Sequence, residues 1–226
     1  MYFIILGFFS LIGFVISSRL KSKFNHYSRI GISSGMTGSE VAATMLDHYG
    51  IRDVKIVQGK GFLSDHYNPR TKTVSLSPQV YQGRSIAAAA VAAHECGHVV
   101  QHATAYSMLS LRSNLVPVVQ FSSRIQQFLF FGFIFGVGAG MTGNILLMVL
   151  TATFGVTALF SLITLPVEFD ASRRALAWLD SSGVARGQEY DGAKDALWWA
   201  AMTYVSQALA SLVIFLYFLM TFMGRD

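Results

Sequence analysis

The stretch Ser85-Ile-Ala-Ala-Ala-Ala-Val-Ala-Ala-His94-Glu95-Cys96-Gly97-His98-Val-Val-Gln-His102-Ala-Thr104 is the one segment whose chemistry is legible before any fold is known. Alanine has the highest helix propensity and nothing interrupts the pattern from Ala87 to Glu95, so a helix is predicted. Positions i and i+4 of a helix share one face, one turn apart, which lets His94 and His98 grip a single metal ion. Glu95 then stands beside that ion, where a carboxylate can draw a proton from water. Gly97 costs roughly 1 kcal/mol against alanine in a helix, and its missing side chain permits close packing. The bland alternative is a core helix whose histidines are merely hydrogen-bonded. It leaves two imidazoles and a carboxylate inside an apolar helix without a reason, and zinc supplies one.

Working outward, the chain of 226 residues is 53% hydrophobic and only 13% charged, with a positive mean hydropathy of +0.47. That is too apolar for an ordinary soluble domain and predicts an integral membrane protein. The net charge of +5 raises the question of nucleic acid. The basic residues form no dense run beyond Arg19-Leu-Lys-Ser-Lys, which abuts an apolar segment, so membrane topology accounts for them and no nucleic-acid partner is expected. The single cysteine, Cys96, excludes an internal disulfide. It points to a different side of the helix from His94 and reads as a small buried thiol.

The fold class expected is a mainly α integral membrane protein with about four transmembrane helices and a small α+β cytoplasmic, zincin-like region containing a short β-hairpin. Residues 1–20 are the first span, without a basic leader or a small-residue cleavage site, and so read as an uncleaved helix. A cytoplasmic region, 21–117, follows. Within it Ser39 caps a short amphipathic helix that Gly50 terminates. From Asp53 to Ser77 the apolar period becomes two, predicting a strand pair, Val54–Val57 and Thr71–Leu76, around the loop Ser64-Asp-His-Tyr-Asn-Pro-Arg70. The second and third spans are 118–140 and 145–165, separated by a tight exit at Met141-Thr-Gly-Asn. A helical segment, 166–199, with a polar break at Ser181-Ser-Gly precedes the fourth span, 200–223, entered through Trp198 and Trp199. Lys and Arg concentrate between spans one and two and between spans three and four, and only Arg225 follows on the opposite side. The positive-inside rule places the His94 helix and Glu168 at the cytoplasmic face, and the membrane expected is the plasma (inner) membrane, which the charge count by itself does not name.

A catalytic zinc takes three protein ligands and keeps one position for water, so His94 and His98 need a partner. His102 lies on the same helix about 12 Å from His94, too far for both to reach one ion without a kink. Glu168 is favoured, since it arrives on the same membrane face just after a span, at the start of a new helix.

At this point AAHECGHVVQH, a transmembrane hairpin and LPVEFDASRRAL resemble the YugP-like membrane-bound neutral zinc metallopeptidases. The similarity runs through DHYNPRTKTVSLSPQVY and essentially the whole chain. The arrangement is more distantly similar to HtpX and the CAAX prenyl proteases. The resemblance implies Zn2+ on His94, His98 and Glu168, with Glu95 as the catalytic base. In the distant relatives an aspartate four residues after the ligand glutamate orients a zinc histidine. This chain has Ser172 there, with Asp170 on another side of the helix.

The activity expected is peptide-bond hydrolysis of membrane-associated or misfolded proteins near the cytoplasmic interface, with the lipid bilayer and a protein or peptide substrate as partners. Stabilising the tetrahedral oxyanion takes a further donor, worth about 3 kcal/mol, and His66, Tyr67, Tyr106, Arg173 and Arg174 are candidates. His102 is the structural or supporting histidine. From other classes stand a non-catalytic scaffold or chaperone with a structural zinc, which has no use for Glu95, and a metal transporter. The transporter would need its ligands in mid-span.

Overall fold

Alanine adds little girth to a helix, and α4 (Ile86–Ala103) is accordingly packed on nearly every side. The computed structural model describes residues 1–134 and 143–224. Within them α4 starts at Ser85, whose hydroxyl accepts from the Ala88 amide at 3.2 Å. Val41 and Met45 of α2 (Gly38–His48), Val74 and Leu76 of a small sheet, and Trp178 and Leu179 near the end of α6 (Gly143–Ser181) form one buried cluster with it.

The cap of α2 is Thr37, where Ser39 was expected. Thr37 has Glu40 three residues on, and the two complete a reciprocal capping box, whereas Ser39 has Ala42 there and can form none. Gly50 takes the left-handed conformation that ends the helix, at φ +66°.

The sheet has three strands, β1 (Lys55–Gln58), β2 (His66–Asn68) and β3 (Thr73–Leu76), in the order β1-β3-β2. The two expected strands are adjacent but run parallel, with Ile56 opposite Val74. The segment expected as their loop supplies β2, which pairs antiparallel with β3. Parallel pairing needs a crossover longer than a hairpin turn, and residues 59–72 provide it. The true hairpin is β2–β3. Its turn is held by Asn68, whose side-chain oxygen accepts from the Arg70 and Thr71 amides.

Three described helices are long and apolar enough to cross a membrane: α1 (Tyr2–Tyr27), Ile145–Ser181 within α6, and α7 (Gln188–Met223). The described part of the expected second span lies on α5 (Ser107–Ile134), which is not among them. Gln120, Arg124, Gln126 and Gln127 lower its hydropathy, and Gln126 donates to the Thr157 hydroxyl of α6 at 3.3 Å. Residues 135–142, with the end of that span and the start of the exit turn, and Arg225 lie outside the described residues.

Glu168 does not open a new helix. α6 continues through Pro166, which forfeits one backbone hydrogen bond while α4, α5 and α7 pack along the helix. The polar break falls after Ser181, and α7 then begins at Gln188, ten residues before Trp198. At their polar ends α1 and α7 are tied by Lys23 and Tyr27, both 2.7 Å from Asp195.

Candidate metal centre

The site begins with a missing side chain. A Cβ on Gly97 would stand 2.5 Å from the carbonyl oxygen of Ala171, so glycine is what lets α4 and α6 touch backbone to backbone. One helical turn before Ala171, Glu168 is thereby carried to the face of α4 that presents the two imidazoles. Its Oε2 lies 3.4 Å from His94 Nε2 and 3.6 Å from His98 Nε2. The other oxygen, Oε1, faces Arg112 of α5 at 3.7 Å. Glu168 is only 2% exposed, and its Oε2 is buried without a hydrogen-bond partner among the described residues.

The far nitrogen of each imidazole is held. Ser172 Oγ lies 3.1 Å from His94 Nδ1, and Gln101 Oε1 lies 3.0 Å from His98 Nδ1. With the protons on Nδ1 both oxygens accept, and the Nε2 lone pairs are left facing Glu168. Gln101, fully buried, also donates its amide to Val167 O at 2.7 Å and Asp170 Oδ2 at 2.9 Å. Asp170 in turn accepts from Arg173 and from Arg174. The aspartate thus reaches a histidine through a glutamine, while Ser172 meets the other histidine directly. Gln101 is a residue that sequence reading missed, as are Arg112 and Tyr204 of α7. The signal for Gln101 was a lone amide three residues after His98 in an apolar run, on the buried side of the helix.

Burial pushes the Glu95 carboxyl above its ordinary value. His94 and His98 beside it work the other way, while Glu168 and Asp65 add to the rise. For His98 burial works to lower the value, but the neighbouring Glu168 and Glu95 outweigh it and leave the imidazole raised. Burial likewise pushes the Cys96 thiol up. That thiol contacts Ala42 O on α2, away from the imidazoles.

Other predicted residues lie elsewhere. His102 is exposed, its Nδ1 2.9 Å from the Tyr67 hydroxyl. His66 turns back to Ser64 O at 2.9 Å. Arg173 and Arg174 are engaged with Asp170, and Arg174 sits over the Tyr106 ring. Beside the imidazoles is a cavity of about 170 Å³. Among the described residues, none of these five oxyanion candidates lines it. Its polar lining includes Asp65, Glu95, Glu168 and Tyr204 of α7.

The donor set suits zinc. Ligand atoms of His94, His98 and Glu168 all lie within 4.8 Å of one another, and two atoms bound to one tetrahedral zinc stand roughly 3.4 Å apart. An orphaned carboxylate oxygen between two Nε2 lone pairs is a costly arrangement that a divalent cation resolves.

Comparison with known proteins agrees. The model of a family described as "Putative neutral zinc metallopeptidase" matches residues 2–223. Over 228 aligned positions the chain is 43% identical to the "Putative membrane protease YugP" of Bacillus subtilis (strain 168), covering 100% of this chain and 99% of that protein. No solved structure matches. From its second residue to its last described helix, the chain belongs to the neutral zinc metallopeptidase family.

Proposed function

We propose that the protein is a membrane-bound zinc endopeptidase that cuts membrane-associated or misfolded polypeptides at the cytoplasmic interface. The observation that carries this is the bare Oε2 of Glu168, buried and facing His94 Nε2 and His98 Nε2, with Glu95 on the same helix lining the same cavity. His94, His98 and Glu168 hold the metal, the gluzincin arrangement. Zinc there supplies Lewis-acid polarisation of the scissile carbonyl and acidifies water.

The rest is done by the chain itself. Glu95 takes the proton of the attacking water and returns it to the leaving amine. Ser172 and Gln101 fix the two imidazole rings. Arg112 occupies Glu168 Oε1, which leaves Oε2 for the metal. Tyr204, lining the cavity, offers its hydroxyl to the oxyanion. β2 is an edge strand beside α4, and its free edge can align an extended peptide by backbone pairing.

With four spans, the three apolar helices and the span expected from the sequence at 118–140, the positive-inside rule favours the cytoplasmic side for the site. Lys and Arg lie almost wholly on that side. Glu168 follows the apolar part of α6 directly, so cleavage occurs close to the lipid surface.

The test is zinc analysis together with cleavage of casein and of a membrane-tethered substrate, for the wild type and Glu95→Gln. Bound zinc in both proteins with cleavage only in the wild type is expected. Equal cleavage by the two proteins removes Glu95 from the role of base, and zinc bound without cleavage by either would leave a structural site.

A further inference from the structure

The cavity beside the imidazoles holds a charge that neither the metal nor the proton transfer uses. Asp65 lines it, just ahead of β2. Among the described residues its two oxygens accept from Ser77, from the amide at 2.7 Å and the hydroxyl at 3.1 Å. Neutral donors hold the carboxylate in place without cancelling its charge. The comparable carboxylates near the site are treated differently. Glu168 has Arg112, Asp170 has Arg173 and Arg174, and Asp195 has Lys23, whereas among the described residues Asp65 has no Lys or Arg partner.

The walls around it are apolar, with Leu20 and Phe24 from α1, Leu63, Val91, Leu197 and Ala200. At about 170 Å³ the space lies well below the roughly 300–1,000 Å³ of drug-sized ligand sites and suits one side chain. With Glu95 and Glu168 taken up by the proton transfer and the metal, Asp65 is the remaining anion among these apolar walls, which match an aliphatic stem carrying a cationic head. Burial pushes the Asp65 carboxyl up, so an arriving cation offsets a desolvation cost that the fold imposes on this carboxylate.

We propose that Asp65 is a specificity-determining residue that receives a cationic nitrogen of the substrate next to the bond to be cut. This rests on reading the cavity as a peptidase site. Two sources share the chemistry, a Lys or Arg side chain within a polypeptide and the α-amine of an N-terminus. Cytoplasmic flanks of membrane proteins are enriched in Lys and Arg, so a peptidase at that interface would meet the first source constantly.

The experiment uses full-length, zinc-loaded Glu95→Gln protein in detergent, so that binding is read without turnover. Labelled neutral peptides are compared by fluorescence anisotropy with twins carrying one Lys scanned through the sequence, each with a free or an acetylated N-terminus. One Lys position is expected to bind at least about tenfold tighter than its norleucine twin, the scale of a charge-assisted hydrogen bond. If the N-terminus is the source, acetylation removes the preference and the Lys scan is flat. Adding Asp65→Asn should bring the twins within twofold with an unchanged melting temperature, because the amide oxygen still accepts from the Ser77 amide while the Ser77 hydroxyl turns to accept from the new NH2. Adding Ser77→Ala, which keeps the charge, should preserve the preference and thereby separate recognition from a merely structural role. Equal binding of all twins, or a preference that survives Asp65→Asn, overturns the proposal. Wild-type protein that shows the preference yet hydrolyses nothing would sink the peptidase reading and leave the subsite standing.

Discussion

Gly97→Ala tests whether the metal site depends on the backbone contact between α4 and α6. By helix propensity alone alanine should stabilise an interior helical position by about 1 kcal/mol. The structure gives the opposite sign. The new Cβ would stand 2.5 Å from Ala171 O and 3.1 Å from its Cα and C, all of them backbone atoms that no rotamer change can move aside. Reaching ordinary contact at 3.4 Å requires the two helices to part by about 0.9 Å. Overpacking of this kind costs about 1–3 kcal/mol, which outweighs the propensity gain. The displacement passes to Glu168, one turn from Ala171, and metal–ligand distances tolerate only about 0.2 Å of error. Zinc affinity, measured by competition with a chelating dye in detergent, should fall at least about tenfold, and the melting temperature of the metal-free protein should drop. A variant that binds zinc as the wild type does and melts higher would show that propensity governs this position, refuting the close approach as the device that builds the site.

Gln101→Leu strips His98 Nδ1 of its partner and leaves Val167 O and Asp170 short of a donor. Zinc affinity should fall about 10–100-fold, as measured by metal competition. His102→Gln should retain full zinc stoichiometry by elemental analysis, because His102 bonds Tyr67 and stands apart from the three ligands; lost metal would contradict this. Tyr204→Phe should lower kcat by about 10²–10³ with zinc content intact, the cost of losing one oxyanion donor. An unchanged kcat would mean that another group serves.

Local patterns in the sequence determined the helical nature of α4, the i, i+4 placement of its imidazoles and the apolar segments, because each depends on neighbours a few residues apart. Glu168 could be singled out from the length and apolarity of the stretch before it. Its bare oxygen between the two imidazoles, however, exists only because α6 runs unbroken past Pro166 and touches Gly97. The direction of β1 against β3, the relay from Asp170 through Gln101, and the meeting of Asp65 with Tyr204 in one cavity were decided by tertiary structure. These join residues 18 to 139 positions apart in the chain, and a partner at that range is set by how helices and strands pack, on which periodicity and propensity carry no information.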